Sequence, residues 1–306
     1  MKPFFVVNPH SANGATRKRF LQAEPLVRAA FPGMRYAFTE APMHATELAR
    51  RAAEDGADVV IAAGGDGTLN EVLGGLVASG CTDRTALAMM PSGTGGDFRR
   101  VAGFPGEPEA FVAFLNDAEP RRIDWGMLEF VSPAGAQIQR PFLNIASVGI
   151  SGVVDKFVNN TSKALGGKVS FYVGTLRGML AYRNLPMRVT VDGQPFHEGP
   201  TNLVAVANGQ FFGGGMRVAP DARFDDGLFD VVVFEDLTKL EFVGLTSVIY
   251  EGRHLGRSKI RVTRGAEVRV EPVGDALIDL DGEQVGRAPL RAKIQPGGVM
   301  VLQPRP

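Results

Sequence analysis

Asp58-Val59-Val60-Ile61-Ala62-Ala63-Gly64-Gly65-Asp66-Gly67-Thr68-Leu69-Asn70-Glu71 is the stretch that decides the fold. After Asp58 it runs unbroken through apolar residues, 59–63, at strand length. It then turns through Gly64, Gly65 and Gly67, and continues into a helical pattern over 69–78. A strand that is apolar throughout, rather than alternating, is covered on both faces, as strands of a parallel sheet are. Strand and helix alternate on either side of it. Residues 4–7, 35–39 and 86–90 read as strands, and 17–30, 45–54 and the short 97–101 as helices.

From about Ile123 the pattern changes. Short strands are expected at 126–131, 142–147, 187–191, 203–207, 229–234, 260–263, 267–271, 276–280 and 299–302, interrupted by helices near 169–182 and 239–250. Asp192-Gly193 and Asp281-Gly282 are hairpin-turn signals between apolar runs. The expected fold is an α/β N-terminal domain with a parallel sheet, followed by a β-rich, mainly antiparallel C-terminal domain, with the boundary between 124 and 125.

Composition excludes several classes. The 306 residues are 44% hydrophobic, enough for two cores. Lys plus Arg equals Asp plus Glu at 33 each, so the basic excess of a nucleic-acid binder is missing. The single cysteine, Cys81, has no internal disulfide partner, which suits a reducing, cytoplasmic setting. No apolar segment reaches bilayer length, so contact with lipid is expected to be peripheral and transient.

The 64–71 segment carries the chemistry. Glycines let an anion approach the backbone, and a helix start offers unpaired N–H groups and the positive end of the dipole. Thr68 and Glu71 have capping-box spacing, which accounts for those two residues but not for Asp66. A carboxylate at a phosphate site repels its ligand unless a cation bridges them, and Mg²⁺ binds few carboxylates together with phosphate oxygens. Two more polar, glycine-bearing loops follow strands: Asn8-Pro9-His10-Ser11-Ala12-Asn13-Gly14 and Pro91-Ser92-Gly93-Thr94-Gly95-Gly96-Asp97-Phe98. In a parallel sheet all three lie at the carboxyl edge, where ligands bind.

The order Asn8-Pro9-x-Ser11, Gly64-Gly65-Asp66-Gly67-Thr68, Pro91-x-Gly93-Thr94-Gly95-x-Asp97-Phe98 resembles the diacylglycerol kinase catalytic-domain family, which includes bacterial lipid kinases and sphingosine and ceramide kinases. The resemblance runs from about 4 to 302. It implies ATP and Mg²⁺ as cofactors, a membrane lipid as the phosphoryl acceptor, and an active site in the cleft between domains. It also implies that the last strand returns to the first domain, giving domains 1–124 with 298–306, and 125–297. By position, Asn8, Thr39, Gly64, Gly65, Asp66, Gly67, Thr68, Asn70, Glu71, Gly93 and Thr94 would line the nucleotide, with Asp66 orienting the phosphates. The chain departs from the family at Gly96, where Asn is usual, and at Ala12, where Gly often follows Ser.

The resemblance extends into the second half. Within Arg223-Phe224-Asp225-Asp226-Gly227-Leu228 it implies a structural Mg²⁺ on Asp226 and the carbonyls of Arg223 and Leu228, although on composition alone this is a turn before a strand. It implies that Glu283, after Asp281-Gly282, is the general base, although the residues alone read as a surface hairpin like Asp192-Gly193-Gln194. Two alternatives stay open on the residues. One is a kinase of a soluble substrate such as NAD, which shares Gly-Gly-Asp-Gly but usually adds a Gly-Ser-Thr-Ala-Tyr type segment that is missing here. The other is a nucleotide-binding homologue without catalysis.

Overall fold

A computed structural model describes residues 1–92, 96–160, 177–179 and 181–305. The expected helix near 169–182 falls largely outside the described residues, as do Gly93 and Thr94. The chain divides into two compact units, Met1–Trp125 with Gln295–Pro306, and Gly126–Ile294.

The first unit is built as strand, helix, strand: β1 (Pro3–Val7), α1 (Ala15–Ala30), β2 (Arg35–Phe38), α2 (His44–Glu54), β3 (Val59–Gly64), α3 (Asp66–Ser79), β4 (Ala86–Pro91), α4 (Asp97–Ala102) and α5 (Pro108–Asp117). The strands pair in parallel in the order β2-β1-β3-β4, with Val6 beside Ala62 and Ala62 beside Met89. β3 and β4 are buried at every position, as their unbroken apolar runs require. Helix α5 was not expected, yet its signals are in the sequence. Pro108 sits in its first turn, and Phe111, Phe114 and Leu115 form a buried stripe at helical spacing. Phe111 packs on Phe5 with ring centroids 6.4 Å apart, closing the core under α1.

The second unit begins on β5 (Glu119–Val131) and continues through β6 (Gln137–Phe142), β7 (Ile145–Gly149), α6 (Ile150–Asn160), β8 (Leu185–Val191), β9 (Gln194–Thr201), β10 (Leu203–Ala207), β11 (Phe229–Phe234), α7 (Lys239–Tyr250), β12 (Ile260–Gly265), β13 (Glu267–Pro272), β14 (Leu277–Leu280) and β15 (Glu283–Gln303). Its pairings are antiparallel, in the order β12-β11-β10-β7-β14-β15, with β13 joining β15 to the β8–β9 hairpin. β15 then runs on into the first unit, where Val301 pairs in parallel with Leu87. Side chains alternate across β10. Val204 and Val206 enter a core shared with β5, β8 and β13, while Leu203, Ala205 and Ala207 enter one shared with α6 and α7.

A single strand over 142–147 is not what forms. The chain leaves the ladder at Leu143-Asn144, between β6 and β7, and its amides there bind the carboxylate of Asp281. Both hairpin signals fold as two-residue turns with positive φ at both central positions: Asp192 at 49° and Gly193 at 78°, Asp281 at 50° and Gly282 at 87°.

Candidate active site

Helix α3 starts at Asp66, three residues before the sequence pattern suggests, because the amphipathic signal begins only at Leu69. Gly65 is the N-cap and Thr68 lies inside the first turn, so the expected Thr68–Glu71 capping box does not form. Thr68 instead accepts a hydrogen bond from Asn8 Nδ2 at 3.1 Å. Glu71 reaches sideways: its Oε2 accepts from the Ala45 amide at 3.1 Å, in the first turn of α2, whose own N-cap, Met43, offers no side-chain acceptor. Glu71 therefore caps a neighbouring helix. Gly75 allows this closeness, since a Cβ there would lie 2.3 Å from the Thr46 carbonyl oxygen.

The three loops after β1, β3 and β4 converge as the sequence implies. The Asn8 amide donates to Ala63 O at 3.0 Å, and the Ser92 amide to Gly64 O at 2.9 Å. Thr16 donates to Ser11 O at 3.0 Å and shares a 2.7 Å bond with Ser92 Oγ. Ser92 lies in a loop the sequence already marks, but Thr16 carries no flag; an isolated Thr at the start of a helix gives no signal of a partner 76 positions away. Thr39 is buried beside the same edge, its amide on Val7 O at 2.9 Å, and Asn70 is buried on α3. A cavity of about 450 Å³, lined by Thr16, Arg19, Phe20, Ala63, Met90 and Ser92 among others, adjoins this edge. Asp66 and Gly65 are not in its walls.

The glycines divide by cause. A Cβ on Gly64 would lie 2.4 Å from Thr68 Oγ1, so the fold itself excludes a side chain there. Gly65 has φ of −97° and open space where its Cβ would be, so neither backbone nor packing calls for glycine. Its bare face leaves the N-terminus of a 14-residue helix open to an anion.

Asp66 has two different oxygens. Oδ2 accepts from the amides of Gly96 at 2.8 Å and Asp97 at 3.2 Å, capping α4. Gly96, with φ of 92°, stands in the left-handed region that glycine and, to a lesser degree, Asn tolerate, so the family's usual Asn and this Gly suit the same backbone. Oδ1 is buried with no hydrogen-bond partner among the described residues. Burial pushes the Asp66 carboxyl above the ordinary range, opposed by the amides of α4 and by the charge of Arg100. An orphaned carboxylate oxygen, a hard donor next to an open helix start, fits a Mg²⁺ carried by phosphates.

In the second unit, Glu283 is the first residue of β15 and is 48% exposed, with Arg140 of β6 at 3.8 Å. The turn before it is firmly held. Asp281 accepts from the amides of Leu143 at 3.2 Å, Asn144 at 3.1 Å and Ile145 at 3.0 Å. Asp226, expected with Arg223 and Leu228 to hold a metal, faces a different cation. Arg264 of β12 forms an ion pair with it, and the Leu228 amide donates to its Oδ1 at 3.2 Å. Arg223 pairs with Asp225 at 3.2 Å. The guanidinium already supplies the positive charge at Asp226, so these residues as arranged do not fit a metal.

Comparison with known proteins follows the same division. Residues 2–128 match the diacylglycerol kinase catalytic domain, and residues 144–303 match the YegS C-terminal NAD kinase beta sandwich-like domain. A diacylglycerol kinase of Bacillus subtilis is 29% identical over 93% of this chain and 90% of its own. A YegS-like protein of Chromohalobacter salexigens, named as a probable lipid kinase, is 32% identical over 84% of this chain and 79% of its own. A Bacillus anthracis crystal structure, provisionally described as a diacylglycerol kinase, superposes with a TM-score of 0.76 at 26% identity, over 98% of this chain and 96% of that one. A yeast NADH kinase structure shares the fold alone, with a TM-score of 0.53 at 10% identity. Fold and matches together define a phosphotransferase of the kinase class. The chain belongs to the diacylglycerol kinase and YegS-like lipid kinase family.

Proposed function

We propose that the protein is an ATP-dependent lipid kinase that phosphorylates a hydroxyl of a membrane lipid, diacylglycerol or a close relative, at the membrane surface. The observation that carries the nucleotide half is the start of α3, where a glycine the fold does not require stands beside Asp66, one oxygen of which has no partner among the described residues. The names of the relatives support the lipid acceptor. Among the described residues no helix is long and apolar enough to cross a membrane, so the reading has the protein meet its lipid from the surface.

Phosphoryl transfer needs positioning and charge stabilisation more than covalent help from the protein. In this reading the amides at Gly65 to Thr68 bind the phosphates, and Asn8, Thr39 and Asn70, with Gly93 and Thr94, complete the nucleotide site. Mg²⁺, when bound, neutralises phosphate charge, and Asp66 Oδ1 is the oxygen that would hold it. Glu283 takes the proton of the lipid hydroxyl as its oxygen bonds to the γ-phosphorus and the bond to the ADP oxygen breaks. Its exposure leaves the carboxylate open to an incoming hydroxyl, with Arg140 at 3.8 Å.

The test is transfer from labelled ATP to a panel of diacylglycerol, sphingoid base, ceramide, phosphatidylglycerol and NAD. Labelled lipid that depends on Glu283, absent from Glu283→Gln, is the expected result. Transfer to NAD and to no lipid would overturn the reading.

A further inference from the structure

The second unit holds a pair of carboxyl groups, one buried and one half-buried, to which neither the motifs nor the proposed chemistry assigns a role. Asp279 on β14 is only 4% exposed. Its Oδ1 accepts from the Gly282 amide at 2.8 Å, and its Oδ2 from Ser147 Oγ at 3.1 Å. Asp155 on α6 stands against it, the two carboxyl groups within reach of a shared hydrogen bond. Oδ2 of Asp155 is buried without a hydrogen-bond partner among the described residues.

The close approach of α6 to β14 brings the two together. A Cβ on Gly152 would lie 2.7 Å from the backbone of Leu277, so the helix rests directly on the strand. Asp155 follows Gly152 by three positions and so shares its face. Ser151, one turn before Asp155, bonds Ser147 Oγ at 2.7 Å and fixes the same contact.

We propose that the hydrogen-bonded pair Asp155–Asp279 is a positioning device for Glu283, holding the Asp281-Gly282 turn that presents this side chain. The proposal rests on the reading of Glu283 as the base. Two carboxyl groups in a buried contact keep their mutual hydrogen bond only while one retains a proton. Burial pushes both above the ordinary carboxylate range, Asp155 to about 6. Among the described residues, the groups facing the pair are Ser147 of β7, Ser151 of α6, the Gly282 amide, and Glu283, whose charge pushes Asp155 further up; Arg140 of β6 stands across from Glu283. Removal of the shared proton sets two like charges against each other. Because α6 already lies against β14, separation falls on the bonds Asp279 makes elsewhere, and one of those holds the residue before Glu283.

Two measurements test this. The first is amide exchange at Gly282, followed by NMR at fixed pH. Protection is expected in the wild type, lost in Asp279→Ala, and restored in Asp279→Asn, which keeps the acceptor oxygen. The second is the pH profile of lipid phosphorylation in diacylglycerol vesicles. Asp279→Ala is expected to lower kcat about tenfold or more with KM for ATP unchanged, since a small misplacement of a reacting group is costly; Asp279→Asn recovers most of the rate. A fall of kcat on the alkaline side in the wild type is expected to disappear in Asp155→Asn, whose amide can donate to an ionised Asp279. Gly282 exchange equal in Asp279→Ala and wild type overturns the proposal, as does an Asp155→Asn profile that keeps the wild-type alkaline fall. If the wild type phosphorylates no lipid, the kinase reading fails on its own, and Gly282 exchange still decides whether the pair holds the turn.

Discussion

Replacing Asp66 by Asn and by Ala separates its structural role from its chemical one. Asn can place its carbonyl oxygen where Oδ2 now accepts from the Gly96 and Asp97 amides, at 2.8 and 3.2 Å, and put its NH₂ where Oδ1 lies without a partner. Ala leaves both amides of α4 without an acceptor. Loss of such a cap costs about 1–2 kcal/mol, which for a protein of this size lowers Tm by about 2–8 °C. Asp66→Asn should leave Tm near the wild-type value or above it, because burial disfavours the ionised carboxylate. The sign follows from linkage. The folded protein holds this proton more tightly than the unfolded chain does, so wild-type stability falls as pH rises from the unfolded value through the folded one. Asn lacks that loss, so its advantage without ligand grows with pH over that interval and then levels. With Mg²⁺ and ATP the order reverses. A ligand at about 100 times its Kd stabilises the wild type by about 2.7 kcal/mol, and Asp66→Asn should lose the part of this shift that depends on Mg²⁺. Its transfer rate should fall about 10²- to 10³-fold, the range for removing a group that stabilises developing charge. Thermal unfolding with and without Mg²⁺·ATP, alongside labelled-phosphate transfer, reads all of this. An Asn variant with the full Mg²⁺-dependent shift and a near-wild-type rate would refute Asp66 as the charge partner. An Asn variant as unstable as Ala without ligand would show that charge, and not the acceptor atom, holds α4.

Gly65→Ala should fold normally, since open space surrounds the added carbon, but should raise KM for ATP about tenfold by obstructing the approach of the phosphates; Gly64→Ala, with its carbon 2.4 Å from Thr68 Oγ1, should instead destabilise by about 1–3 kcal/mol, visible in Tm without ligand. Glu71→Ala leaves the Ala45 amide without its acceptor and should cost about 1 kcal/mol of stability, read by denaturant unfolding. Asp155→Asn should raise Tm at pH 8 and much less at pH 4. The wild-type carboxyl, raised to about 6 in the folded protein, loses stability as pH rises from 3.8 through about 6, and the loss levels off above that. From 3.8 to about 6 the upper limit of this effect is about 3 kcal/mol, reduced by the coupling to Asp279.

Where the sequence was legible, the reason is local. The 58–71 stretch reads correctly as strand, turn and helix because its apolar run and its glycines act within a few residues of each other. The two Asp-Gly turns read correctly because positive φ at two successive positions admits few residues. The start of α3 was missed by three residues because its first turn consists of polar and glycine residues selected by the site rather than by helix propensity. The partner of Glu71 was missed because the helix it caps lies 26 positions away. Asp279 and Asp155 gave no signal at all: their contact spans 124 residues, and each alone reads as a solvated acid.

The two Asp-Gly hairpins show how far pattern can go and what has to replace it. Both are two-residue turns, closed by the pairs Val191–Gln194 and Leu280–Glu283. In both, the turn Asp binds amides of a neighbouring segment: Asp192 takes those of Ala266 and Glu267 at 3.0 and 2.8 Å, and Asp281 those of residues 143–145. A carboxylate accepting amides across strands therefore belongs to the turn chemistry and distinguishes neither hairpin. The difference lies two residues before the Asp. The first hairpin has Thr190 there. The second has Asp279, buried, bonded to the Gly282 amide and locked to α6 through Asp155. Burying a second carboxyl group beside another acid destabilises a fold that needs only a turn. Such a cost is borne where an orientation matters more than stability, and the orientation at stake here is that of Glu283.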